Sequence, residues 1–549
     1  MLSLQFLLLI TTNPWGVFAS SPTLDSSEIL PKKLASYGSS ENGSILVPPN
    51  GAKAGAPVLK SFISYSIELV FFPDFAGNKA NPNTFSDTLL SNLGNIQGTK
   101  PHIRVGGNTQ DYAVFNASLE TATYGIYIPE ISEDYPRILS IGPSFFESYE
   151  AWSPDVKFIH GFNLARNTSA DVKSVIDSVP YACKAIGQNN ILFWEIGNEP
   201  DLFKTSSQGV MRPPSWNESD YVREWEGRIN GVKAALKEHC GETWMSKERF
   251  KWIAPSFAGT KNSLNSTKTW IAGLDEHGEV AQFSSHNYMG GATQPGVTLS
   301  GYLMNHTRVV ASVGSHNKEH EILASVGMEL DYILGEHNSL YNQGAPGLSN
   351  SFGAALWGVD FNLYAASTSI RQVYMHMGTD YRYASWQPIT SNKTIIGTKA
   401  PYYGNVAVAS ALGDITQGSV RVQNIDLKSE NDAAYAIYGS EKLKRIMVVN
   451  LHQYNFSVPE PARRPSSAYN FTLPTSCAGS GTVQRLMANG SDAITGITFN
   501  GFSYNYELDG GKPVLLGNVT KDEKVIVGAD GQVTIQVPWS SGALLQLTC

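Results

Sequence analysis

Short runs of apolar and β-branched residues recur through the first three quarters of the chain, at 61–71, 102–106, 156–163, 191–197, 251–257, 282–288, 332–335 and 371–377. Most are strand-sized and hydrophobic on successive positions, the pattern of a strand buried on both faces. Helical periodicity fills the intervals, clearest over 171–186, 219–239 and 351–368. Strand and helix in alternation predict a (β/α)8 TIM barrel over 61–414, ending near a helix at 401–412. After about residue 415 the pattern changes. The runs 445–451, 483–487 and 533–537 alternate or are β-branched, with Gly, Asn and Pro turns between them, and predict a C-terminal all-β sandwich domain over 415–549. Apart from the barrel alternation there is no internal repeat.

Two carboxylates stand beside the predicted strands in prepared settings. Glu199 follows one in Trp194-Glu195-Ile196-Gly197-Asn198-Glu199-Pro200, and Glu336 follows another in Ile333-Leu334-Gly335-Glu336-His337-Asn338-Ser339. Each is expected where a strand meets its loop, the usual address of catalytic groups in this barrel. A pair of carboxylates suits glycoside hydrolysis, in which a carboxyl of raised pKa protonates the leaving oxygen and an ionised partner attacks the sugar or activates water. Glu199 reads as the acid, because the apolar run 191–194 disfavours a charge and Asn198 can bond a sugar hydroxyl. Glu336 reads as the nucleophile, since Gly335 permits close approach and His337 and Asn338 offer donors that favour the ionised form. Tyr288, leaving the sixth predicted strand, can donate its hydroxyl to Glu336, and Glu68 can accept from two adjacent sugar hydroxyls. The segment His316-Asn317-Lys318-Glu319-His320 has the spacing of a zinc-peptidase motif, but it lies in a polar run that reads as a solvated helix start with no distal ligand. Neither a metal nor a cofactor is expected.

Five segments together carry a family resemblance: Tyr65-Ser66-Ile67-Glu68-Leu69, Ile103-Arg104-Val105-Gly106-Gly107-Asn108-Thr109, Trp194 to Phe203, Ser285-His286-Asn287-Tyr288 and Gly335 to Ser339. The Asn-Glu-Pro motif and the later Gly-Glu motif resemble clan A glycoside hydrolases, and the combination most resembles family 79, whose members include β-glucuronidases and heparanase. The resemblance implies a retaining enzyme releasing β-linked glucuronic acid or its 4-O-methyl form, with Glu199 as acid/base and Glu336 as nucleophile. It makes Arg104 the group that keeps the nucleophile ionised, and it implies that the segment 20–60 adds a strand to the sandwich. It also assigns the uronate to Tyr341, the amides of Asn342-Gln343-Gly344, and Tyr383. An endo-acting, heparanase-like enzyme and a non-catalytic carbohydrate-binding protein are the alternatives.

Composition narrows these choices. At 549 residues the chain calls for about two domains. Its formal net charge of −8 disfavours nucleic acid or a highly sulfated polyanion, and the tight basic pair Arg463-Arg464 lies in the β domain, away from the predicted cleft. An apolar start followed by Val17-Phe18-Ala19 reads as a signal peptide over 1–19, and no later run reaches the ~18 apolar residues of a membrane span. Sequons at Asn42, Asn116, Asn167, Asn217, Asn265, Asn305, Asn392, Asn455, Asn470, Asn489 and Asn518 fit a secreted, extracellular protein. Of three possible cysteine pairings, Cys477 with Cys549 and Cys183 with Cys240 is the favoured one. Oligomeric state is not legible.

Overall fold

A computed structural model of the chain describes residues 44–206 and 209–549. The expected leader and the Asn42 sequon lie outside the described residues. Eight parallel strands close into a barrel: β1 (Ile63–Glu68), β2 (Ile103–Gly106), β3 (Phe158–Phe162), β4 (Ile191–Ile196), β5 (Trp252–Phe257), β6 (Val280–Gly291), β7 (Asp331–Tyr341) and β8 (Ile370–Met377). Neighbours in sequence are neighbours in the sheet, and β8 closes on β1 through Val373–Met377 against Ile63–Ile67. An apolar plug of Ile159, Ile253, Ile333 and Tyr374 fills the lower barrel. Higher in the interior the side chains turn polar, with Ser66, Arg104, Glu195, Ser256 and Ser284 all buried.

The helices follow from local chemistry. Ser169–Ile186 starts at a capping box of Thr168 and Asp171, and Glu218–Cys240 at one of Asn217 and Asp220, so free N–H groups of each first turn are met by a side chain. The Cys183–Cys240 disulfide links these two helices. Phe352–Ala366 is buried along its whole length, in keeping with an apolar sequence on every face. It lies between the barrel and the β domain, where Asp360 accepts the Tyr435 hydroxyl at 2.5 Å.

In the C-terminal region a nine-stranded antiparallel sheet faces a three-stranded one, with Tyr438, Phe471, Val533, Ile535 and Leu545 among the residues packed between them. Ile45–Leu46 joins the smaller sheet in parallel with Phe471–Thr472. Cys477 and Cys549 are bonded, so both favoured pairings form.

Three features depart from the sequence reading. Strands β6 and β7 continue to Gly291 and Tyr341, which puts Tyr288 and Glu336 in mid-strand rather than at strand exits. Polar residues persist there because several find buried partners: Asn338 Nδ2 donates to the His376 carbonyl at 2.9 Å and Ser339 Oγ to Ser349 Oγ at 2.9 Å. Next, His316 and Glu319 are not at a solvated helix start. They lie within the helix His306–Ser325, buried against β7, where the Tyr332 hydroxyl sits 2.8 Å from His316 Nδ1 and donates to Glu319 Oε2 at 2.6 Å. Finally, a small sheet of 113–115, 123–126 and 138–141 interrupts the chain between β2 and β3, an insertion that barrel periodicity alone does not reveal.

Candidate active site

Glu68, Asn198, Glu199, Tyr288, Glu336 and Tyr383 all line one cavity of about 470 Å³. Glu199 follows β4 in left-handed backbone, φ 52° and ψ 48°, an unfavourable conformation for a residue with a Cβ. Its N–H donates to the Ser256 carbonyl at 2.9 Å. Glu336 comes from mid-β7, and a Cβ on the preceding Gly335 would stand 2.2 Å from Ser284 Oγ, so a larger residue there would have to turn that hydroxyl aside. A carboxylate oxygen of Glu199, one of Glu336 and a ring nitrogen of His286 lie within 4.8 Å of one another.

The surroundings of the two carboxylates differ in sign. Burial, reinforced by the negative charge of Glu336, pushes the Glu199 carboxyl up to about 8. Its close neighbour His286, with Nδ1 3.0 Å from Glu199 Oε1, is itself held neutral by burial, at about 3. Glu336 is buried too, but the charges of His376 and Arg104, together with the Tyr288 hydroxyl, outweigh that penalty and hold it down at about 2. Arg104 Nη1 donates to Glu336 Oε2 at 2.8 Å and Tyr288 to Oε1 at 2.7 Å, so both oxygens of Glu336 are engaged. One site thus holds a protonated carboxyl and an ionised carboxylate at neutral pH, as acid-assisted displacement requires.

Arg104 is fully buried and spends its remaining donors within the site. Nε bonds both Glu195 oxygens at 3.1 and 2.9 Å, Nη1 also reaches Ser66 Oγ at 2.9 Å, and Nη2 reaches Asn198 Oδ1 at 2.8 Å. Asn198 is therefore bound into the Arg104 network while still lining the cavity. Glu68 commits Oε1 to the Thr109 N–H and hydroxyl at 2.7 and 2.6 Å, and Oε2 receives Tyr381 at 3.2 Å. Its capacity for sugar hydroxyls is correspondingly reduced. Gly107, at φ 87°, lies against that carboxylate, where a Cβ would come within 2.7 Å of Oε1.

The two tyrosines at the exits of β7 and β8 differ. Tyr383 is buried, with its ring 6.0 Å from that of Tyr288. Tyr341 also lines the cavity but is 48% exposed at its rim, its ring over Gly291. Sequence reasoning assigned no role to His286, His376, Glu195 or Asp111. Asp111 also lines the cavity, and burial raises its pKa to about 6 against hydrogen bonds from the Leu164, Asn198 and Ala165 N–H groups. Glu195 had a signal, a charge placed inside an apolar strand, and His286 lay within a motif already singled out.

Residues 434–544 match the glycosyl hydrolase family 79 C-terminal β domain. A β-glucuronidase of Aspergillus niger is 55% identical over 506 residues, covering 90% of this chain and 92% of that protein. A β-glucuronidase of Neurospora crassa is 51% identical over 494 residues, covering 85% and 88%. Among solved structures, a 4-O-α-L-rhamnosyl-β-D-glucuronidase from Fusarium oxysporum 12S superposes with a TM-score of 0.72 at 23% identity, over 92% of this chain and all of that one, a likeness of fold.

Proposed function

The chain belongs to glycoside hydrolase family 79 as a relative of its β-glucuronidases, and from that footing we infer that it removes β-linked glucuronic acid with retention of configuration. One observation carries the stereochemistry. Carboxylate oxygens of Glu199 and Glu336 lie within 4.8 Å, which suits the ~5–5.5 Å between carboxyl groups of retaining enzymes, whereas inverting enzymes keep ~6.5–9.5 Å to admit a water. Glu336 attacks the anomeric carbon as Glu199 protonates the departing oxygen. Glu199, now ionised, then takes a proton from the water that releases the sugar from Glu336. Arg104 and Tyr288 keep Glu336 ionised until it attacks. The test is a panel of aryl β-glycosides differing only in the sugar, with glucuronide turned over best and β-glucuronic acid the first anomer seen by proton NMR. A preference for glucoside, galactoside or xyloside, or α-anomer as first product, would overturn this reading.

The uronate is placed by Tyr383, buried beside Tyr288, and by the turn 342–344. Removing the Tyr383 hydroxyl leaves a buried carboxylate one donor short, a loss of ~1.5–3 kcal/mol, or about ten- to a hundredfold in kcat/KM for glucuronide. Tyr383→Phe should therefore narrow the preference for glucuronide over glucoside, while Tyr341→Phe, at the exposed rim, should change it less. Equal effects of the two variants in parallel assays would remove Tyr383 from the uronate site.

Secretion belongs to the same proposal. It is supported by the two disulfides and by the exposure of Asn116, Asn167, Asn217, Asn265, Asn392, Asn470, Asn489 and Asn518. Asn305 is buried as a helix cap bonded to Glu430, a poor place for a glycan.

A further inference from the structure

Arg382, in the segment after β8, contacts three successive carbonyls of the turn that follows β7. Its backbone N–H donates to the Gln343 carbonyl at 2.8 Å, Nε to the Gly344 carbonyl at 3.0 Å, and Nη2 to the Asn342 carbonyl at 3.4 Å. All three turn residues are left-handed, with φ of 60° at Asn342, 59° at Gln343 and 78° at Gly344. Two of them carry a Cβ, and such a backbone persists only where its surroundings impose it. Here the main-chain N–H of residue 382 fixes the Gln343 carbonyl, and the Arg382 guanidinium draws in the Asn342 and Gly344 carbonyls on either side of it.

The consequence follows from peptide planarity. In a trans peptide the N–H points opposite to the carbonyl of the preceding residue. Drawing the Asn342 and Gln343 carbonyls toward Arg382 turns the N–H groups of Gln343 and Gly344 away from it. Successive amides turned to one side form an anion-binding concavity, and Asn342 and Gln343 line the cavity that holds Glu199 and Glu336. The turn is also tied to Tyr383, because Gly344 packs so closely that a Cβ there would stand 3.0 Å from the Tyr383 nitrogen.

Arg382 is held at its far end. Nη1 and Nη2 donate to the two oxygens of Asp134 at 2.9 and 2.8 Å, a bidentate pair that sets the plane of the guanidinium. Asp134 lies between the second and third strands of the small inserted sheet, and the adjacent Tyr135 hydroxyl accepts from Asn108, which lines the cavity. The salt bridge thus joins three segments around the mouth, those after β2, β7 and β8.

We propose that Arg382, oriented by Asp134, is a specificity-positioning residue: without touching the sugar, it shapes the 342–344 turn into the amide concavity that receives the uronate carboxylate. The inference rests on the β-glucuronidase reading and deepens it. A glucoside has nothing to place in that concavity, so Arg382 governs binding of the uronate and not the bond-breaking step.

The test measures kinetics on 4-nitrophenyl β-D-glucuronide and calorimetric binding of free D-glucuronic acid, with thermal unfolding followed in parallel. Arg382→Met should raise KM and the Kd for glucuronic acid about tenfold or more while kcat stays within about threefold, the pattern of lost binding shared by ground and transition states. Arg382→Lys, which keeps the charge but not the fork, should recover part of that loss. If Arg382→Met does not fold, Asp134→Asn carries the test, with a smaller rise in KM at unchanged kcat. Unchanged KM and Kd in the folded variants, or a fall in kcat alone that tracks lost thermal stability, would overturn the proposal. A wild-type protein that turns over glucoside as well as glucuronide and does not bind glucuronic acid would overturn the β-glucuronidase reading itself, a failure visible before any variant is made.

Discussion

Glu336→Gln should lose turnover on every β-glucuronide, by about 10⁴-fold or more, because the amide that replaces the ionised carboxylate cannot form the glycosyl bond. The substitution is nearly isosteric, so it tests charge and nucleophilicity rather than packing. Glu199→Gln should behave differently. General acid catalysis contributes about 10²–10⁴-fold, and an aglycone that leaves readily as an anion does not need the proton. Loss in this variant should therefore be large on alkyl and sugar aglycones and small in the first turnover of 4-nitrophenyl glucuronide. Release of the sugar from Glu336 then lacks its base, so a burst of nitrophenol should precede a slow steady state. Azide, which needs no base, should accelerate that second phase. Pre-steady-state kinetics across a series of leaving groups provides the measurement. Equal residual activity of the two variants on all aglycones would sink the division of roles, and a burst in Glu336→Gln would reverse it.

Much of the frame was legible because barrel strands are buried on both faces and so announce themselves as apolar runs. The runs failed where strands carry polar residues. The apolar stretch 332–335 gave a short strand, whereas β7 extends to Tyr341, since Glu336 and Asn338 are bonded to groups on other strands and Ser339 to Ser349 in the loop that follows. Motifs singled out Glu199 and Glu336, which line one cavity, but the donors expected beside Glu336 do not serve it: His337 stacks on Phe361 and Asn338 bonds the His376 carbonyl, while Arg104 and Tyr288 hold the carboxylate from other strands. Residues that act across strands were harder to see. His376 lies on β8 with Nδ1 3.5 Å from Glu336, but its flanks Met375 and Met377 read only as core. Arg382 and Asp134 are separated by 248 residues, and an acidic pair in a loop of an inserted sheet carries no pattern. The segment His316 to His320 shows the converse error. A metal-like spacing there serves the packing of a helix on Tyr332, and periodicity cannot tell which face of a mixed helix is buried.

Arg104→Met should damage stability and chemistry together. Arg104 is fully buried between Glu195 and Glu336, and its five hydrogen bonds also reach Ser66 and Asn198. Removing one partner of a buried ionic network costs about 3–5 kcal/mol, because the remaining charges lose their compensation. Here two carboxylates would be stranded, with Ser256 Oγ at 2.5 Å the remaining donor to Glu195 and Tyr288 that to Glu336. A lower unfolding midpoint in denaturant is therefore expected. The chemical effect has a definite sign. In the native enzyme kcat/KM should fall as pH rises through about 8, where Glu199 loses its proton, and fall at the acid end near about 2, where Glu336 gains one. Without Arg104 the burial of Glu336 is less opposed, so the acid limb should move upward and narrow the profile from below. The alkaline limb should also move up, since Arg104 lowers the Glu199 pKa as well. Arg104→Lys keeps the charge and should hold the acid limb lower than Met does, yet its single ammonium cannot bridge Glu195, Glu336 and Asn198 together. A pH profile of folded Arg104→Met with its acid limb unmoved would show that His376 and Tyr288 suffice to ionise the nucleophile, and would reduce Arg104 to a structural brace.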